Sequence, residues 1–171
     1  MTILALDPAL VNTGVVVFRD SQVIHTETIK MSSEFDGVAK WMGMQEEYAQ
    51  RLNYILLTYT PDAVASEYPH GSQSANAVKS LATVSGVISG LCTAHGIPCS
   101  FYMEYDVKRV LFGRSKDVTK KQMMDRVLGI FERFSYIPKI KGKPPTVNSF
   151  QHIADALGVL AIYLKQKGMI N

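Results

Sequence analysis

Thr2-Ile3-Leu4-Ala5-Leu6-Asp7, at the start of this 171-residue chain, is an apolar run that ends on an acid. A continuous hydrophobic run of this length reads as a strand buried on both faces, so Asp7 stands where the core gives way to a surface or cleft. Two later stretches repeat the pattern. Asp62-Ala63-Val64-Ala65-Ser66-Glu67 is a second short apolar run closing on an acid, and Phe150-Gln151-His152-Ile153-Ala154-Asp155-Ala156-Leu157-Gly158-Val159-Leu160 carries His152 and Asp155 three residues apart, on one face of a helix. An ionised carboxylate is costly beside a core unless something pairs with it, so acids converging at strand ends point to a hard divalent cation. That chemistry suits metal-dependent phosphoryl transfer.

Working outward from Asp7, residues 14–19 and 22–30 read as two more strands, with Asn12-Thr13-Gly14 and Asp20-Ser21 as turn signals. Three sequential strands predict an antiparallel meander. From Asp36 to Tyr59, Val38, Trp41, Met42, Met44, Tyr48, Leu52, Ile55 and Leu56 recur at helical spacing, and Pro61 stops the pattern. Residues 62–67 then give a strand, 74–95 a helix and 97–103 a fifth strand. Further helices are expected over 105–112 and 119–134, and a last one, capped by Asn148 or Ser149, runs to Lys167. Between them Pro138-Lys139-Ile140-Lys141-Gly142-Lys143-Pro144-Pro145 reads as a basic loop, because proline and glycine interrupt any helix. This order describes one α/β domain over residues 1–171, a mixed five-stranded sheet with helices on both faces. Sites in such sheets form at the carboxyl ends of strands, where Asp7 and Glu67 fall.

The composition narrows the partners. Of the net charge of +3, residues 108–143 hold 11 Lys and Arg against 3 acids, a local balance of +8, which leaves −5 elsewhere. Such clustering is expected of a surface that meets a polyanion, although a merely solvated basic face gives the same count. The first residues lack the basic start and long apolar stretch of a signal peptide, and no apolar run approaches the ~20 residues of a membrane span. A soluble cytoplasmic protein without a membrane role is expected. Cys92 and Cys99 suggest neither a zinc site nor a disulfide framework and read as core or near-core thiols.

These pieces together resemble the RuvC-type Holliday junction resolvases of the ribonuclease H-like nuclease superfamily. The resemblance rests on Leu4-Ala5-Leu6-Asp7-Pro8 with Thr13-Gly14, on Ala65-Ser66-Glu67, on Glu104-Tyr105 and Val107-Lys108 leading to Gly113, on Lys120-Lys121-Gln122, and on His152-Ile153-Ala154-Asp155-Ala156-Leu157. It implies a ribonuclease H-like fold and a dimeric endonuclease that cuts four-way DNA junctions, or other branched DNA, by paired nicks. It also implies Asp7, Glu67, Asp155 and His152 as the metal-binding and catalytic set, taking Mg²⁺, or Mn²⁺ in its place, as two ions per site. Two cations ~3.5–4 Å apart can activate water and stabilise a leaving oxygen. His152, a softer donor, is open to two roles, ligand or base.

Lys108 and Lys120 match family lysines near the scissile phosphate, while Arg109, Arg114, Lys116, Lys121, Lys139, Lys141 and Lys143 read as phosphate contacts. The aromatic position in the family's junction-binding loop aligns with His70, with Tyr68 nearby, and either ring could stack on a base. Ala9 departs from the family's glycine, so the turn after Asp7 must tolerate a Cβ. The helix over 74–95 has a wider apolar face than one core stripe needs, which fits the family's homodimer interface or simple burial. Small size and divergence lean toward a phage protein, acting in the cytoplasm of a bacterial or phage-infected cell. The rivals are an actin-like ATPase or sugar kinase, which needs a second glycine-rich Asp loop and a second domain, a nuclease acting on other branched DNA or on RNA, and a junction-binding protein that does not cut.

Overall fold

The computed structural model describes residues 1–31, 37–68, 75–134, 136 and 146–170. In chain order the elements are β1 (Thr2–Asp7), β2 (Asn12–Arg19), β3 (Gln22–Lys30), α1 (Gly37–Tyr59), β4 (Ala63–Tyr68), α2 (Ala75–Ala94), β5 (Cys99–Met103), α3 (Glu104–Phe112), α4 (Lys120–Glu132) and α5 (Val147–Gln166). The strands form one mixed sheet in the order β3-β2-β1-β4-β5. β1, β2 and β3 pair antiparallel as a meander, whereas β4 pairs parallel with both β1 and β5. The expected five-stranded sheet with helices on both faces is the observed architecture.

Strand alternation divides the core in two. Ile3 and Ala5 of β1, with Val16 and Phe18 of β2, face one layer built from α3, α4 and α5. Leu4 and Leu6, with Val15 and Val17, face the opposite layer of α1 and α2. α5 is the most enclosed helix: Ala156, Leu157, Val159, Leu160, Ala161 and Leu164 are all 0% exposed. It is apolar nearly all round because it lies between the sheet and the outer helices α3 and α4, and each large side chain so buried contributes about 1.5–3 kcal/mol. Gly158 permits this packing, since a Cβ there would meet Val107 Cγ1 at 3.0 Å.

Local chemistry sets the boundaries. Asp20 and Ser21 both take positive φ, 48° and 63°, which matches a two-residue hairpin whose twist suits the flanking strands. α4 begins on a capping box, Thr119 accepting from the Gln122 amide while the Gln122 side chain accepts from the Thr119 amide. α3 ends at Gly113, which adopts φ 70° as its left-handed cap.

Two expectations are corrected. Asn12-Thr13-Gly14 is not a turn: these residues already pair with Asp7 of β1 and with Lys30, Ile29 and Thr28 of β3, so β2 is longer than predicted. The final helix starts at Val147, which puts Asn148 and Ser149 inside its first turn rather than at its cap. Cys92 is buried and Cys99 half-buried, as expected of core thiols. Among the described residues no helix is long and apolar enough to cross a membrane.

Candidate active site

The parallel pairing of β1 with β4 matches Leu6 to Ser66, so the next residues, Asp7 and Glu67, stand side by side at the carboxyl ends of these two neighbouring strands. Ala5 and Ala65 belong to the layer under α5, and two residues further along each strand the side chain faces the same way. Alternation therefore turns both acids toward α5. There His152 and Asp155, one turn apart, meet them.

His152 Nδ1 donates to Asp7 Oδ2 at 2.9 Å. A small cavity beside this pair is lined by Glu67, Glu104, Val107, Met123 and Asp155. Glu67 is pushed up to about 8 by burial first, then by the charges of Asp7, Asp155 and Glu104, with Lys108 opposing. Asp155 is pushed up to about 7 by burial and by Asp7, with His152 opposing. The hydrogen bond to Asp7 raises His152, helped by the charges of Asp7 and Asp155. Partly desolvated acids that oppose one another's ionisation are the condition a bound cation relieves.

Three carboxylates and an imidazole suit a hard divalent ion by donor chemistry. As the side chains stand, no three of His, Cys, Asp or Glu among the described residues are close enough together to hold one ion. His152 in particular is engaged at both nitrogens, Nδ1 by Asp7 and Nε2 by Gln151 Nε2 at 3.3 Å.

The cationic residues divide into two groups. Lys108 is ion-paired with Glu104 one turn back on α3, at the rim of the acid cavity. Lys120 donates to Gln151 Oε1 at 2.7 Å. Arg109, Arg114, Lys116 and Lys121 are exposed, Arg109 lying over the Tyr105 ring and Lys121 paired with Asp125. Tyr68, next to Glu67, is 49% exposed with its ring edge-on to Phe101. His70, Lys139, Lys141 and Lys143 lie outside the described residues.

Three participants were not named as site residues from sequence, although Glu104 and Gly14 belong to the motifs quoted there. Glu104 could have been found from its four-residue spacing to Lys108. Gln151 carries no such signal, since it adjoins His152 in sequence. Gly14 read as a turn residue, yet it pairs with Asp7 across the β1–β2 ladder and packs against the His152 backbone. The turn after Asp7 tolerates Ala9 without left-handed backbone, and Thr13 braces it, its Oγ1 donating to the Ala9 carbonyl at 2.7 Å and accepting from the Ala9 amide at 3.2 Å.

Comparison with known proteins adds a family. Residues 3–163 match the family described as "Crossover junction endodeoxyribonuclease RuvC". Proteins of that name from Nitratidesulfovibrio vulgaris strain DP4 and Syntrophomonas wolfei are 26% and 28% identical, over 76% of this chain and 79% and 77% of theirs. Among solved structures, "T. thermophilus RuvC in complex with Holliday junction substrate" superposes with a TM-score of 0.74 at 22% identity, covering 99% of this chain and 97% of that one. The yeast mitochondrial Holliday junction resolvase Ydc2 superposes with a TM-score of 0.60 at 11% identity, covering 96% of this chain and 83% of that one.

Proposed function

The chain belongs to the RuvC family of crossover junction endodeoxyribonucleases, and from that premise we propose that it resolves four-way DNA junctions by paired, symmetric, metal-dependent nicks. Water adds to phosphorus, the bond from phosphorus to the 3′ oxygen breaks, and the products are a 5′-phosphate and a 3′-hydroxyl. The observation that carries this reading is the meeting of Asp7, Glu67 and Asp155 at the carboxyl ends of β1 and β4 under α5, where burial and neighbouring carboxylates oppose the ionisation of Glu67 and Asp155.

Asp7, Glu67 and Asp155 would hold Mg²⁺, with Mn²⁺ able to substitute, as two ions per site. Bound there, the ions would supply charge to activate water and stabilise the leaving oxygen. His152 orients the Asp7 carboxylate through Nδ1, and its Nε2 is the atom left for ligation or proton uptake once the Gln151 amide moves away. Lys108 and Lys120 place positive charge where the scissile phosphate gathers negative charge. Arg109, Arg114, Lys116 and Lys121, with Lys139, Lys141 and Lys143, take the flanking phosphates, and Tyr68 and His70 supply rings for an unstacked base.

Two opposed strands need two sites, so the active form is a homodimer. Among the described side chains of α2, those buried by this chain are Ser80, Val84, Ile88 and Cys92, one stripe at four-residue spacing. Val78 remains 50% exposed, and Trp41 and Met42 of α1 are 37% and 64% exposed. These exposed apolar side chains on the α1 and α2 layer support a second copy as their cover.

The deciding experiment incubates a labelled synthetic four-way junction, beside linear duplex of the same sequence, with Mg²⁺, with Mn²⁺ and with chelator. Paired nicks confined to the junction and lost with chelator are expected. Tight binding without nicks under every condition overturns the proposal in favour of a junction-binding protein.

A further inference from the structure

Lys120 and Asp7 lie at the two ends of an unbroken chain of hydrogen bonds. Lys120 Nζ donates to Gln151 Oε1 at 2.7 Å, Gln151 Nε2 faces His152 Nε2 at 3.3 Å, and His152 Nδ1 bonds Asp7 Oδ2 at 2.9 Å. The direction of each bond follows from chemistry rather than from where hydrogens are drawn. An ammonium has three donors and no acceptor, so the Gln151 atom facing Lys120 must be the oxygen. The amide NH₂ is then forced toward His152, where it can only donate, and Nε2 must present a lone pair. At the far end an ionised Asp7 can only accept, so Nδ1 must carry the hydrogen. Both ends demand the same tautomer.

We propose that Gln151 is a positioning residue that transmits the charge of Lys120 to His152, holding its ring as the Nδ1–H tautomer with the Nε2 lone pair capped by an amide. This rests on the reading of His152 as a site residue and specifies how it is kept ready. A neutral imidazole is a ligand or base only through its unprotonated nitrogen, so fixing the tautomer decides which atom acts. A DNA phosphate that draws Lys120 away also releases Gln151 and uncovers Nε2. Substrate binding and the readiness of His152 are thereby coupled through one side chain.

The test reads the ring nitrogens of His152 by NMR in metal-free, DNA-free protein labelled with ¹⁵N-histidine, at a pH where the ring is neutral, with the resonances assigned by their loss in H152N. Wild type is expected to show Nδ1 protonated and Nε2 bare. In D7N the Asp7 end no longer dictates the tautomer, and the same spectrum is expected because Lys120 and Gln151 still do. In D7N/Q151L and D7N/K120M the ring is expected to drift toward Nε2–H, the form preferred by free imidazole. Identical spectra for D7N and both double variants overturn the proposal, as does Nε2–H in wild type. A second readout uses Q151E, whose carboxylate still accepts from Lys120 but offers His152 an acceptor in place of a donor. At saturating enzyme, so that any affinity lost to the added negative charge does not enter, it should lose about 10- to 100-fold in the single-turnover cleavage rate with an unchanged melting temperature. An unchanged rate overturns the functional half. The spectra need neither DNA nor metal, so failure of the nuclease reading would leave them intact and is separable from failure of this one.

Discussion

Gly14 of β2 and His152 of α5 are in contact so close that a Cβ on Gly14 would lie 1.9 Å from the His152 carbonyl oxygen and 3.1 Å from its Cβ. Gly14 is also the register partner of Asp7. The absence of one side chain thus lets α5 settle onto the sheet at the point where His152 reaches the β1 acid.

Gly14→Ala is therefore expected to push α5 away rather than to strain a turn. Backbone atoms cannot yield as a flexible side chain does, so the cost should reach at least the ~1–3 kcal/mol typical of overpacking. Thermal unfolding should show a lower Tm, and cleavage should fall further than stability alone explains, because the bond from His152 to Asp7 is displaced. Wild-type Tm and rate in G14A would show that the contact is easily relieved.

Asp7→Asn and Glu67→Gln should each abolish cutting; Asp7→Asn should keep or improve junction affinity by removing a negative charge that repels phosphate, whereas Glu67→Gln should leave metal-free affinity unchanged below about pH 8, where Glu67 already holds a proton. Gel shift and cleavage on the same junction read both effects. Normal cleavage by either variant would remove that acid from the metal site.

Without divalent cation, stability should fall as pH rises. Glu67 and Asp155 are held near 8 and 7 in the fold, above their ordinary values, so between about pH 5 and 8 the folded chain retains protons the unfolded chain has released. Raising pH through that window withdraws this stabilisation. Mg²⁺ should raise Tm more at pH 8 than at pH 5.5, and calorimetry in chelator and in Mg²⁺ would show it. A flat chelator profile would mean that the acids are more solvated than their burial implies.

Tyr68→Ala should slow cleavage more than it weakens binding, if the exposed ring beside Glu67 stacks on a base at the opened junction. Each stacked base is worth ~1–3 kcal/mol. The comparison with His70→Ala separates the two rings, and unchanged rates for both variants would dismiss stacking.

Lys108→Met should lower the cleavage rate with only a modest effect on affinity, because Lys108 stands at the acid cavity beside Glu104 rather than among the outer cations. A loss of affinity with an unchanged rate constant would place it among the general phosphate contacts.

Among the described residues, hydrophobic periodicity together with turn signals was enough to draw each strand and helix, though not each boundary, because apolar runs and helical stripes are local consequences of which face is buried. Asp7, Glu67 and Asp155 were visible for the same reason: each is a charge inside or at the end of a segment that otherwise buries itself. At Gly14 the sequence misled because the governing contact is distant. Gly14 looks like a turn residue because glycine is permissive of turns, whereas here it is needed for an approach between segments 138 residues apart, from position 14 to position 152. Asn148 looks like a cap, yet α5 starts one residue earlier.

The sequence by itself determined the alternation that turns Asp7 and Glu67 toward one side of the sheet, the three-residue spacing that puts His152 and Asp155 on one helical face, and the charge imbalance that supplies a basic surface. Only the tertiary structure decided that these faces meet, that Glu104 lines the acid cavity, and that Gln151 bridges Lys120 to His152. The physical reason is that periodicity records which side of an element is buried, while the identity of what lies across from it depends on register, helix packing and the close approach that one missing Cβ allows.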